Sequence, residues 1–230
     1  MDILGMFVKQ PVPGNVKTRL AADCGDERAA AIYIAFLESL TSRFRDIADR
    51  RVLGFFPNSE ASRNYFERLN PGSYDLWPQP DGELGEKISG FFETHLTENS
   101  DRAILIGSDS PTLPREFLER AFRELESNDV VIGPATDGGY YLIGMRFPAR
   151  SIFTQIEWSG PQVLEQTVFL IQNHQLTLAV LPPWYDVDTL EGLQLLKGHL
   201  QALKLAGIAP EIENLYSSLG WDTADESGCL

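Results

Sequence analysis

The chain has 230 residues, 43% hydrophobic and 23% charged, with 33 acidic against 19 basic residues and a formal net charge of −14. That balance excludes generic binding to a nucleic-acid backbone or an anionic membrane surface, both of which rest on clustered Lys and Arg. Two distant cysteines (Cys24, Cys229), scattered histidines (His95, His174, His199), no apolar run of membrane length and no basic signal-peptide region point to a cytoplasmic protein without a disulfide or zinc framework.

Residues 3–8 read as a buried strand beginning almost at the first residue. Residues 26–47 read as a helix, with Asp26 as its cap and Ile32, Ala35, Phe36 and Leu40 on one face. A strand at 51–56 ends at Pro57-Asn58, and helices follow at 59–69 and 83–96. A compact strand at 103–106 runs into the turn GSDSP, and a helix covers 115–127. Strands at 129–132 and 140–145, a helix at 161–172, a strand at 177–181 and a helix at 190–205 complete the pattern. Alternating strands and helices, with strands that are continuously apolar, imply a mainly parallel sheet covered on both faces. No repeat or linker divides residues 1–230, so one α/β domain is expected, with its ligand at the carboxyl ends of the strands.

The polar residues just after the strands are the candidates for chemistry. Residues 9–20, KQPVPGNVKTRL, carry Lys9, Lys17 and Arg19 in an interval free of acids, a local +3 in a chain otherwise at −17. Such a loop, shaped by Pro11, Pro13 and Gly14, suits phosphate oxygens. It is not a Walker A loop, because Val16 precedes Lys17, and GxGxxG is absent. Asp109 follows the strand at 103–106 directly, where a hard carboxylate is a natural ligand for magnesium. The segment is not a nucleophile elbow, which needs glycine at position 110. Asp137-Gly138-Gly139 joins two apolar runs as a hairpin turn that also permits close approach of a ligand. Asp186 and Asp188 form a DxD whose alternation puts both on one face; Asp188 is the second acid that a phosphate-bridging metal requires, or else a helix cap.

Six segments together, FVKQPVPGNVKTRL, QPDGELGEK, LIGSDSPTLP, GPATDGGYYLIGM, EWSGPQVLEQT and YDVDTLEGL, resemble a bacterial family of glycosyltransferase-A-like transferases associated with radical-SAM/selenodomain proteins. Wider relatives of that family include the phospholactate and molybdopterin guanylyltransferases. The resemblance implies a single-domain, Rossmann-like GT-A fold. It implies that Lys9, Gly14, Lys17 and Arg19 form the phosphate loop, that Gln79 and Gly85 lie near the base or ribose, and that Asp109 and Asp188 hold Mg2+ or Mn2+, with Asp186 as an alternative. Asp137, Gly138, Gly139 and Tyr140 would line the acceptor side, with Trp158 closing it. Position 15, often basic in such loops, is Asn15, and Gly160 stands where threonine is usual.

The expected activity is nucleotidyl transfer from a nucleoside triphosphate to a small phosphorylated or hydroxylated acceptor. Lys17 and Arg19 offset charge on the departing pyrophosphate, and Asp137 serves as base where the nucleophile is a hydroxyl. Glycosyl transfer from a nucleotide-diphosphate sugar is the alternative, and a nucleotide-binding module without turnover is a third.

Overall fold

The computed structural model describes residues 1–69, 72–98, 101–209 and 212–221. Cys229 lies outside them, as do residues 210, 211 and 222–230 of the tail at 209–230, in which the sequence offers no motif. The first apolar run forms strand β1 (Asp2–Lys9), and its alternation splits the core in two. Leu4, Met6 and Val8 face one layer, while Ile3 and the partly buried Phe7 face the other.

Among the described residues seven strands share one sheet: β1, β2 (Arg50–Phe56), β3 (Asp75–Pro78), β4 (Arg102–Ile106), β5 (Val130–Pro134), β6 (Tyr140–Met145) and β7 (Leu178–Val180). Their spatial order is β3-β2-β1-β4-β6-β5-β7. Only β6 runs against its neighbours, β4 and β5; the other pairs are parallel. The carboxyl ends of β1, β2, β4, β5 and β7 therefore share one edge, and the turn from β5 into β6 lies there as well. One layer of helices comprises α1 (Thr18–Cys24), α2 (Asp26–Arg43), α3 (Glu60–Leu69), α5 (Arg115–Glu124), α7 (Leu190–Ala206) and α8 (Glu213–Ser218). The opposite layer is α4 (Leu84–His95), a 3-10 turn (Arg150–Phe153) and α6 (Val163–Asn173).

The mainly parallel mixed sheet with helices on both faces agrees with the pattern in the sequence. Some elements differ from it, among them the 3-10 turn at Arg150–Phe153, which reads as loop. Helix α1 occupies part of what reads as loop, β3 is a four-residue edge strand without a buried face, and α8 falls in the tail. Asp26 is the first residue of α2, with Gly25 as its cap. Among the described residues, no helix is long and apolar enough to cross a membrane.

Candidate active site

A cleft of about 460 Å³ opens at the carboxyl edge, between the loops that follow β1 and β4 and the start of α4. Lys9, Asn15, Lys17, Tyr33, Phe56, Gln79, Lys87, Ser108, Asp109 and Asp188 line it. Residues from four strand ends thus meet in one depression, as expected for an open α/β sheet.

Lys17 organises the floor. It sits just before α1 in the left-handed conformation, φ 48° and ψ 42°, which turns its side chain inward. The ammonium donates to Asp109 Oδ1, to Asp188 Oδ1 at 2.9 Å and to the Val187 carbonyl at 2.8 Å. A lysine has three protons, so these three acceptors use all of them. Burial alone would lower the Lys17 pKa, but the charges of Asp109 and Asp188 and their hydrogen bonds hold it well above its ordinary value. The side chain of Lys17 is 2% exposed, whereas those of Asp109 and Asp188 are 42% and 39% exposed, so both acids keep a face toward the cleft.

The segment that carries Asp186 and Asp188 is stitched to the Asp109 loop. Val187 N–H donates to the Asp109 carbonyl at 2.8 Å, and the Ser110 hydroxyl donates to Asp186 Oδ1. Asp186 therefore turns away from Lys17 and onto Ser110. Burial pushes its carboxyl up to about 7, against the lowering effect of the Ser110 hydrogen bond and with help from the charges of Asp109, Asp137 and Asp188. Beside Lys17, Tyr33 accepts the Lys9 N–H at 3.1 Å and pairs with Ser108 Oγ at 2.7 Å, tying the end of β1 to the end of β4. Burial and the Asp109 charge push the Tyr33 hydroxyl up to about 12.

Other residues singled out in the sequence take varied places. Lys9 is exposed at the rim with its ammonium 6.0 Å from the Phe56 ring centroid. Gly14 makes the turn before α1 at φ +79°. Arg19 is exposed on α1 and is not among the residues lining the cleft. Gln79 is buried in the wall, where Nε2 donates to the Gly54 carbonyl at 2.6 Å. Gly85 seats Trp158 rather than a ligand, because an added Cβ would lie 2.8 Å from the indole and 2.7 Å from the Phe153 carbonyl. Trp158 in turn borders a second cleft of about 810 Å³ with Glu83, Leu84 and Glu157, and Leu84 also lines the first. Asp137 is exposed and accepts the Gly139 N–H at 2.9 Å. Gly138 packs against Pro161, and Tyr140 buries its hydroxyl beside Thr167 of α6 instead of presenting it to the acceptor side.

The sequence reading missed Lys87, whose ammonium stands 4.2 Å from the Phe56 centroid, as well as Phe56, Tyr33 and the Val187 carbonyl. Lys87 lies one helical turn into α4, within a segment noted for its glycines, and that position was its one available signal. Among the described residues neither Lys9 nor Lys87 has an ion-pair partner.

Among the described residues, no group of three or more His, Cys, Asp or Glu side chains is placed to hold a metal. The site nonetheless suits a hard divalent cation supplied with further ligands. Two carboxylate oxygens and a carbonyl oxygen converge on a single point, and a cationic ammonium already stands there.

The bacterial family described as "Uncharacterized protein conserved in bacteria (DUF2064)" matches residues 45–160, about half of the chain. No curated protein matches the sequence. Among solved structures, a protein of Desulfovibrio desulfuricans G20 named as a "putative nucleotide-diphospho-sugar transferase" is 28% identical. The match covers 95% of this chain and 96% of that one at a TM-score of 0.84. The 4-diphosphocytidyl-2C-methyl-D-erythritol synthase of Anaerococcus prevotii DSM 20548 is 10% identical over 87% of this chain and 98% of its own, with a TM-score of 0.56. A CTP complex of CMP:2-keto-3-deoxy-manno-octonic acid synthetase is 10% identical over the same shares, with a TM-score of 0.54. Those two share the fold. The chain belongs to the DUF2064 family of bacterial proteins and is built on the nucleotide-diphospho-sugar transferase fold.

Proposed function

We propose that the chain is a metal-dependent transferase acting on a nucleotide-activated substrate, by nucleotidyl transfer from a nucleoside triphosphate to a small phosphorylated or hydroxylated acceptor. The observation that carries this reading is the convergence of Asp109, Asp188 and Lys17 at the strand edge of a cleft lined also by Lys9 and Lys87, which have no acidic partner among the described residues. Of the two fold neighbours, the CMP:2-keto-3-deoxy-manno-octonic acid synthetase is complexed with CTP, which supports the choice of a triphosphate.

The acceptor oxygen attacks the α-phosphorus, a new P–O bond forms, and the bond to the β-phosphate breaks to release pyrophosphate. Asp109 and Asp188 would hold Mg2+ or Mn2+, which when bound offsets phosphate charge as a Lewis acid. Lys9 and Lys87 supply positive charge over Phe56, where they meet the anionic part of the nucleotide. Gln79, with its amide nitrogen committed to Gly54, leaves its carbonyl oxygen as an acceptor for a base or ribose group. Asp137, exposed at the β5–β6 turn, takes the proton where the nucleophile is a hydroxyl; a phosphate nucleophile needs no base. Catalysis here is positioning and charge stabilisation.

A second reading, glycosyl transfer from a nucleotide-diphosphate sugar, draws on the name of the 28%-identical neighbour. It uses the same acids but breaks the bond at the sugar carbon, leaving both phosphates on the nucleotide. Thermal-shift screening of nucleoside triphosphates and nucleotide sugars, with and without Mg2+, separates the two. Triphosphates should raise the midpoint in an Mg2+-dependent way, and Asp109→Asn should abolish the metal dependence. A response confined to nucleotide sugars selects glycosyl transfer, and no response to any nucleotide overturns both.

A further inference from the structure

The three oxygens that would hold the divalent cation are already occupied by a side chain of the protein itself. Lys17 Nζ sits where Asp109 Oδ1, Asp188 Oδ1 and the Val187 carbonyl converge, 2.8 Å from the carbonyl and 2.9 Å from Asp188. Those oxygens come from two distant places in the chain, the Asp109 loop and the adjacent residues Val187 and Asp188. Nothing in local sequence forces them to one point. Behind the ammonium, the rings of Tyr33 and Phe36 lie 5.7 and 5.4 Å from Nζ and close the floor.

We infer that Lys17 is the resident counter-ion of the metal position, and that a divalent cation binds only as the Lys17 ammonium leaves that position for the cleft. This rests on the metal placement in the reading above. Two arguments exclude joint occupancy. A divalent cation takes these oxygens at roughly 2.0–2.5 Å, so it would stand almost where Nζ stands. A positive charge at such contact distance also repels it strongly. Displaced, Lys17 needs new acceptors for three protons, and as a residue lining the cleft floor it would meet them in a phosphate that enters the cleft. A phosphate that accepts Lys17 thus frees the acids for metal, and a metal that takes the acids frees Lys17 for phosphate. The two ligands are coupled through one side chain, and the coupling is reciprocal.

Two measurements on the nucleotide-free full chain test this. Mn2+ titration followed by electron paramagnetic resonance should show Lys17→Met binding the ion about tenfold or more tightly than the wild type, because the competing ammonium is gone. Equal or weaker binding by the variant overturns the inference. The second measurement uses only the wild type, so it survives a variant that fails to fold. Acetic anhydride labelling read by mass spectrometry should leave Lys17 protected without metal and label it at saturating Mn2+, with Lys197 on α7 labelled equally in both. Lys17 that stays protected at saturation, or no Mn2+ bound at all, also overturns it. Neither measurement contains a nucleotide, so a failed nucleotide screen and a failed exchange are separate results.

Discussion

Lys17 Nζ lies 2.9 Å from Asp188 Oδ1, a hydrogen bond between residues 171 positions apart that pins the start of α1 to the entrance of α7. Removing the ammonium leaves Asp109 and Asp188 facing each other without a counter-charge. Both acids are partly open to water, so the penalty falls below that of a fully buried pair. Lys17→Met should cost about 2 kcal/mol in urea unfolding at neutral pH. Because the acids raise the folded-state pKa of Lys17, its contribution is complete below the unfolded value near 10.5 and is lost only as the pH climbs past that toward the folded value. The difference between wild type and variant should therefore stay level from pH 6 to 9. A difference that shrinks steadily across that interval would show that Lys17 is not held as a charged group.

The distribution of free positive charge yields a second prediction. Lys17 is saturated and Arg19 is exposed away from the cleft lining, whereas Lys87 stands inside it over Phe56. Lys87→Ala should weaken nucleoside triphosphate binding by about tenfold, near 1.4 kcal/mol, measured by calorimetry. Arg19→Ala should change it by less than about twofold. The reverse order would return the phosphate contact to Arg19 at the start of α1.

Much of the fold was legible because its signals are local. The run at 3–8 became β1 (Asp2–Lys9), and Asp137-Gly138-Gly139 gave the turn into the antiparallel strand β6. Helix α1 was not legible: it begins at a left-handed Lys17 with no side-chain cap, inside a segment that proline and glycine mark as loop. Strand β3 carries only four residues, ends at a proline and sits at the sheet edge, so neither length nor burial writes a pattern into it. At the site, position after a strand singled out Asp109, Lys17 and Asp188. Their mutual contact depends on loops brought together by the whole sheet, which no local spacing encodes. The same limit explains why Gly85 and Tyr140, read as ligand-facing, pack instead against Trp158 and beneath α6.

The β5–β6 turn depends on a glycine for two reasons. Gly138 has φ +95°, and a Cβ there would lie 2.0 Å from the Pro161 carbonyl oxygen. Its own carbonyl accepts the Leu164 N–H at 2.9 Å, so the turn is locked to the start of α6. Gly138→Ala should lower stability by about 3 kcal/mol or prevent folding. Gly160→Ala, in the neighbouring loop, should cost less than about 1 kcal/mol, because its added Cβ would meet nothing closer than 3.5 Å. Chemical denaturation of the pair checks the contrast, and equal losses would mean the clash at Pro161 is relieved by movement of the loop.

His95 gives the last prediction. It ends α4, where an imidazolium would ordinarily be favoured by the helix dipole. Here it is buried, 4% exposed, with ring centroids 4.7 Å from Phe91 and 5.8 Å from Trp77. Neither ring nitrogen has a partner among the described residues. Burial, with a smaller contribution from the Arg50 charge, lowers its pKa to about 4, and Asp75 offsets part of that. A base with a depressed folded-state pKa leaves the unfolded chain holding more protons between the two values, so stability falls as the pH drops from about 6.5 toward 4. His95 alone should account for about 2 kcal/mol of that loss by pH 4.5. His95→Phe keeps the aromatic packing and removes both unpartnered nitrogens. The variant should match or exceed wild-type stability at pH 7 and lose less on acidification to pH 4.5. Parallel pH profiles for the two proteins would show that the wild type accommodates a charged His95, by opening the end of α4 to water.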